Sequence, residues 1–349
     1  MNAPIRALVA VALCSAAIAA DLPPGGNACP FAPGSTYEER VAASPRNKPL
    51  ETDSLALPHP HAANVLPEPR LVKAGSHAVF YPDRDWIVWQ AIPWQDIHQD
   101  YLAKRRELLE QKQAEALVDW CEQKHLPACA EFELRTLLLK FKSFQQPGYR
   151  PIVQRWLKYA SRRQVDYSFP LPFNGTWHVS RDTTGHHAIK AGAAFAHDFV
   201  ILKDGKPFSG TGRQLSDYYA WDQPILAQAD GVVKVATDAN PDMPIGKSGG
   251  FENANNLIVD YGGGILGLYG HVRQGSAKTR QGERVKAGQE LARAGNSGAS
   301  GMPHIHFTFL DHAHFSIRGR YRCEVQTPKG CQPLDGEDLK EGTFVQNKE

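Results

Sequence analysis

The stretch GNSGASGMPHIHFTFLDH, beginning at Gly295, sets His304 and His306 two residues apart, after a glycine-rich run and inside an apolar segment. Read as a strand, HIHFTF points residues i and i+2 to one face, roughly 6.6 Å apart along the strand. Two imidazoles so arranged can share a metal, or one can hold it while the other works on bound water. A half-exposed strand with histidine at two outward positions has the same spelling, so other donors must decide. His186 and His187 lie in the turn-like TTGHHAIKAG, Asp198 in the apolar AFAHDFVI, and His271 at the end of LGLYGHV. An acid inside an apolar strand costs free energy unless it is paired or ligates a metal. A catalytic zinc wants three protein ligands and an open position for water, with imidazole and carboxylate as natural donors. A structural zinc would fill all four positions and usually recruit cysteine, which this half of the chain lacks until Cys323. His59 and His61, in LPHPH, repeat the spacing, but the proline between them and the absence of a surrounding apolar strand make that pair a loop feature.

The elements that must carry these residues follow from periodicity. From Tyr167 onward, YSFPLPFNGTWHVSR, AAFAHDFVIL, PILAQADGVVKVAT, NNLIVDYGGGILGLYGHV, ERVKAGQELARAG and PHIHFTFL are short apolar or alternating runs between glycine-rich turns. That is the signature of an antiparallel β-sandwich or barrel. Upstream, from about Trp94 to Arg163, leucines and aromatics recur at intervals of three and four with charge between them. This predicts helices over DIHQDYLAKRRELLEQKQAEALVDWCEQK, ACAEFELRTLLLKFKSF and PIVQRWLKYASRR, the last opened by proline in its first turn. The basic face of this module (Lys140, Lys142, Arg155, Lys158, Arg162, Arg163) reads as solvated. The expected order is therefore a small α-helical module (94–165), a mainly β catalytic domain (166–320) and a disulfide-looped tail (321–349). A proline-rich extended segment (21–93) precedes all three.

Bulk properties limit the function classes. Lys+Arg number 39 against Asp+Glu 37 in 349 residues, which argues against a nucleic-acid reader, whose phosphate contacts need a basic surplus. The opening MNAPIRALVAVALCSAAIAA has the charge, short apolar run and small residues of a secretory signal peptide, cleaved near Ala19 or Ala20. Its apolar run is short for a membrane span, and bulky Leu13 before Cys14 suits a lipoprotein signal badly. The mature chain is expected to have no integral membrane span and to be exported, to the periplasm or outside the cell. There the loops CEQKHLPAC (Cys121, Cys129) and CEVQTPKGC (Cys323, Cys331) read as short disulfide loops. Cys29 is left over.

Taken together these residues resemble the lysostaphin-like (LytM-type) zinc endopeptidases, which cut peptide bonds in bacterial peptidoglycan and share the duplicated hybrid motif fold. The resemblance covers roughly Tyr167 to Asp311. AFAHDFVI is similar to the family's aspartate-ligand segment, and WDQPILAQADGVVKVA to its strand–turn–strand block. NNLIVDYGGGILGLYGHV resembles its YAHL block, with Gly270 where alanine is usual, and GNSGASGMPHIHF its GPHLHF block. The resemblance implies Asp198 and His306 as ligands of Zn2+, with His271 and His304 as catalytic, non-ligand histidines. The short family pattern H-x-x-x-D fails here, because Ala194 stands four residues before Asp198. A longer-spaced branch implies His187 as the third ligand, with His186 the alternative. His197, next to Asp198, faces the other way on a strand and reads as structural. The implied mechanism has His304 take a proton from zinc-bound water. His271 then hydrogen-bonds the oxyanion or assists the departing amine. The glycines of GNSGASG would wall a narrow groove suited to small peptide residues.

Other readings compete. ADGVVKV followed by ERVKAGQELARAG also resembles lipoyl or biotinyl carriers, which need a lysine at a hairpin tip and no separated histidines. A ligand-bearing but non-catalytic regulator of cell-wall amidases, or a zinc protease acting on ordinary protein, uses the same residues. The helical module and the segment before it are expected to cover the groove or to bind wall or a partner, which the sequence does not identify. Deleting Asp21 to Arg163 would raise hydrolysis in the first case.

Overall fold

A computed structural model describes residues 100–347, apart from breaks at 162–164, 166–167, 184, 263, 312, 328–329 and 337–338, together with four short strands earlier in the chain. The signal peptide, Cys14, Cys29, His59, His61, Arg162 and Arg163 lie outside the described residues. The early strands β1 (Ser54–Ala56), β2 (Arg70–Ala74), β3 (His77–Tyr81) and β4 (Ile92–Pro93) form one antiparallel sheet in sequence order, within the segment expected to be extended.

The described chain divides into two compact units. The first contains α1 (Leu102–Glu110), α2 (Ala114–Gln123), α3 (Pro127–Leu138) and α4 (Tyr149–Ala160). The single helix expected over 96–124 is instead two, broken where Lys112 takes φ 59°. EQKQ offers no apolar residue to carry a buried stripe through that turn, and a left-handed residue is a common way for a helix to stop. Leu117, Val118, Phe132, Leu134, Ile152, Val153 and Trp156 fill the interior. Glu133, also buried, accepts from Tyr101 Oη at 2.6 Å and from Arg105 Nε at 2.7 Å. Of the basic face, Arg155 is held by Asp119 and Glu122 at 2.5 and 2.8 Å. Cys121 and Cys129 are buried free thiols. The hydrogen bond to Cys129, with burial, pushes the Cys121 thiol far up.

The second unit runs over Tyr167–Ala188 and Gly192–Glu349 and is antiparallel β. Its strands are β5 (Trp177–Arg181), β6 (His197–Val200), β7 (Pro224–Leu226), β8 (Gly231–Ala236), β9 (Leu257–Asp260) and β10 (Leu266–Gly270). They continue with β11 (Arg284–Val285), β12 (Glu290–Arg293), β13 (Ile305–Leu310) and β14 (Ser316–Ile317). The last are β15 (Tyr321–Thr327), β16 (Gly330–Gly336) and β17 (Phe344–Gln346). One sheet has the order β11-β8-β9-β10-β13-β6-β5-β17-β15-β16, with β14 on β13, while β12 and β7 form a separate ribbon. Buried aromatics from both halves of this sheet meet: Phe173 on Trp177 and Phe199, Phe169 on Phe309 and Tyr261, and Tyr269 on Phe307.

The C-terminal residues, expected as a disulfide-looped tail, are strands of this sheet. Cys323 lies opposite Leu334 and Cys331 opposite Gln326. The two cysteines are thus three residues out of register, about 10 Å along the strand, and on opposite faces. A disulfide needs Cα atoms about 4.4–6.8 Å apart. The expected Cys323–Cys331 staple is therefore not formed: Cys323 is buried and Cys331 exposed.

Candidate metal centre

Register brings the first pair together. His306 in β13 stands directly across from Asp198 in β6 and, on its other side, from Gly270 in β10. Opposed residues in such a ladder have Cβ atoms about 4.5–5.5 Å apart, and His306 Nδ1 lies 2.8 Å from Asp198 Oδ1. A Cβ on Gly270 would stand 3.2 Å from His306 Cδ2, so glycine there leaves the ring its space. His271 follows with φ 58°, a left-handed conformation uncommon outside glycine. Its ring centroid is 4.7 Å from His304 and 5.6 Å from His306. His304, just before β13, has Nε2 3.5 Å from Asp198 Oδ1.

The β5–β6 loop supplies the remaining histidines. His187 has 1% side-chain exposure and Nε2 3.3 Å from Asp198 Oδ2, whereas His186 is 50% exposed and 4.0 Å away. The centroids of His187 and His306 are 5.2 Å apart. Four imidazoles, those of His186, His187, His304 and His306, therefore approach the carboxylate of Asp198, and His271 stands against the last two.

The far nitrogens define the tautomers. His187 Nδ1 is 2.9 Å from the Asp182 carbonyl, His271 Nδ1 2.7 Å from that of Ser297, and His304 Nδ1 2.9 Å from that of Met302. A carbonyl only accepts, so each Nδ1 carries a proton and Nε2 is the nitrogen turned toward the site; that of His304 faces the Asp198 carboxylate. His187 Nε2 is buried and lacks a hydrogen-bond partner, since its approach to Asp198 is close without being aligned. Such an orphaned nitrogen is costly in apolar surroundings. It is also what a metal ligand looks like once its other nitrogen is held by a carbonyl.

His187 Nε2 and His306 Nδ1 each stand from the Asp198 carboxylate at a separation that suits donors to zinc. Tetrahedral bonds of about 2.0–2.1 Å hold neighbouring donor atoms about 3.3 Å apart, and the observed separations from the carboxylate are 3.3 and 2.8 Å. Two nitrogens and an oxygen are also the donor set of a catalytic site.

Charge follows the same geometry. Burial opposes ionisation of Asp198, but the charge of His304 and contacts from His187, His304 and His306 hold its carboxyl well below the usual range. Burial, then the neighbouring His304 and His306, hold His271 well below the ordinary imidazole value. Burial likewise lowers His306. For His304 burial pulls downward, yet the Asp198 charge and hydrogen bond win and raise it.

The run 295–301 is braced as a wall. Gly298 has φ 69°, and a Cβ there would sit 2.5 Å from Ala254 Cα. Amide to carbonyl bonds join Met243 to Asn296, Gly249 to Gly298 and Gly246 to Gly301. Ser297 Oγ accepts from Asn255 N and donates to Val272 O, which fixes the carbonyl that orients His271.

His197 points to the opposite face from Asp198, with its ring edge-on to Tyr321 at 5.5 Å. Burial, then repulsion from His187, pushes it down to about 4. The unfolded value is about 6.5, so the unfolded chain takes the proton first. The stability is whole above about 6.5 and is lost as pH falls toward about 4, by up to ~3 kcal/mol. Urea unfolding of the metal-free protein across this window should show that slope, to which His271 and His306 add, and His197→Phe should make it shallower. An unchanged slope in the variant would remove His197 as its source.

Sequence reasoning missed the supporting groups. Asp182, Ser297 and Met302 act through main-chain carbonyls, which leave no signature in residue type. No helix among the described residues is long and apolar enough to cross a membrane.

Residues 216–317 match the family described as Peptidase family M23. That span includes His271, His304 and His306 and stops short of His187 and Asp198. A comparison with curated proteins finds no match. Among solved structures, the chain is similar to a catalytic-domain mutant of the prophage-encoded M23 protein EnpA from Enterococcus faecalis. That likeness has 16% identity over 43% of this chain and 93% of the other, with a TM-score of 0.30. The catalytic domain of the antimicrobial peptidase lysostaphin from Staphylococcus simulans gives 17% identity, coverage of 41% and 86%, and a TM-score of 0.25. A zinc-containing peptidase from Vibrio cholerae gives 18% identity and a TM-score of 0.26, with 50% of this chain covering 41% of that one.

Proposed function

We infer, from the M23 peptidase segment at residues 216–317, that this chain is a zinc-dependent endopeptidase acting on peptide cross-links or stem peptides of bacterial peptidoglycan. The observation that carries the reading is the convergence of His187 Nε2 and His306 Nδ1 on the two oxygens of Asp198, beside two further imidazoles. These three groups would hold the metal. Bound there, zinc would supply a water of lowered pKa and polarise the scissile carbonyl.

The chain's own groups do the rest. His304, its Nδ1–H held by Met302, turns Nε2 toward Asp198; with that carboxylate engaged by the metal, Nε2 would take the proton from the attacking water. His271 has the same tautomer, so as a donor to an oxyanion or a departing amine it must first carry a proton on Nε2. The rings of His271 and His304, 4.7 Å apart, put both within reach of one reacting centre. The braced wall at 295–301 would confine a slender peptide beside them. Export is the expectation from the first twenty residues, and an oxidising compartment would join the neighbouring thiols of Cys121 and Cys129.

The test is hydrolysis of purified peptidoglycan beside casein, by protein as isolated and after chelation with and without added zinc. Wall fragments with new amino termini, lost on chelation and regained with zinc, are the expected result. Cleavage of casein alone would move the assignment to a protein protease. A zinc-loaded protein that cuts neither would favour a non-catalytic regulator.

A further inference from the structure

Residues beyond the family match, at the C-terminus, are built into the back of the candidate metal centre. Strand β17 pairs with β5 through Phe344 opposite His178 and Val345 opposite Trp177. The preceding turn continues the contact: Val179 N donates to Thr343 O at 2.8 Å, and Gly342 N to Val179 O at 2.9 Å. Immediately afterwards β5 shifts register against β6 between Val179 and Arg181, and Ser180 Oγ donates to the Asp198 carbonyl. A bulge of this kind re-aims the chain beyond it; Arg181 pairs again with Asp198, and Asp182 follows it as the first residue past the strand. The Asp182 carboxylate accepts from Glu341 N at 3.3 Å, while its carbonyl accepts from His187 Nδ1 at 2.9 Å. Behind Asp198, buried Leu339 offers its main chain to His197, and Tyr321 of β15 covers the ring.

Resting on the metal-centre reading above, we propose that the turn 340–343 and strand β17 position a metal ligand. They hold Asp182 at the end of β5, just beyond the bulge, and Asp182 orients His187. Asp182 is a positioning residue: it touches neither metal nor substrate, and it selects the tautomer and direction of the ring that would. Supporting partners of this kind typically change metal affinity about 10–100-fold.

The turn allows a selective test. Thr343 N bonds Lys340 O at 3.2 Å and Gly342 has φ 88°, which is a type II turn with Glu341 at its first central position. Proline is favoured there, so Glu341→Pro removes the amide that Asp182 accepts while suiting the turn. Glu341→Ala keeps the amide and loses only the exposed ion pair with Arg181. Zinc affinity of the full chain is measured by competition with a chelator, with far-UV dichroism to check folding. Asp182→Ala and Glu341→Pro are expected to weaken zinc binding about tenfold or more. Asp182→Asn, which keeps an acceptor, and Glu341→Ala should stay within about twofold of wild type, well inside that range. In a His187→Ala background, Asp182→Ala should cost nothing further, because the two act through one ligand. Folded Asp182→Ala and Glu341→Pro proteins with unchanged zinc affinity would overturn the positioning role, as would a full additional loss in the His187→Ala background. A wild-type chain that binds no zinc sinks the metal-centre reading and this inference together, whereas wild-type binding with insensitive variants sinks this inference alone.

Discussion

A His187→Ala chain is expected to be purified nearly free of zinc, while His186→Ala keeps close to the wild-type content. The two histidines are neighbours in sequence and differ in every respect that bears on ligation. His187 is 1% exposed, with its Nδ1 on the Asp182 carbonyl and a partnerless Nε2 beside Asp198. His186 is half exposed and its Nε2 is 4.0 Å from the same carboxylate. Loss of a mere supporting partner costs about 10–100-fold in metal affinity, and loss of a ligand should exceed that. Atomic absorption on the two variants, read with their wall-digest activity, checks this. Full metal and activity in His187→Ala would return the third-ligand role to His186 or dissolve the site altogether.

His304→Ala should do the reverse: retain zinc and lose turnover by about a hundred- to ten-thousandfold, the usual contribution of a placed acid–base group. The variant removes an imidazole whose Nε2 faces the site and whose Nδ1 is already committed to Met302. The donors assigned to the metal are untouched. Zinc content and wall-digest rates on the same preparation make the comparison. A zinc-free His304→Ala chain would make His304 a ligand. An active one would leave His271, 4.7 Å away and in the same tautomer, as the base.

Much of this architecture is legible in the residues alone. The strands from Trp177 to Leu310 follow from short apolar runs between glycine turns, because a strand's two-residue alternation is a local property of the chain. The spacing of His304 and His306 on one such run is local as well. The helix break at Lys112 is hidden because charged and polar residues that favour helix occupy both sides of it. The last three strands are hidden because CEVQTPKGC invites a disulfide reading, and only pairing shows its cysteines three residues out of step.

By itself, then, the sequence determined the kind of site: imidazoles and one carboxylate on β-strands and the turns beside them, in residue types suited to a divalent metal. Tertiary structure decided which imidazole is buried and which is exposed, which nitrogen of each ring faces inward, and that residues 339–346 support the loop holding His187. The reason is physical. Side-chain periodicity is written in neighbouring residues, whereas register, burial and main-chain acceptors arise from contacts between distant segments, such as Asp182 with Glu341, 159 residues apart.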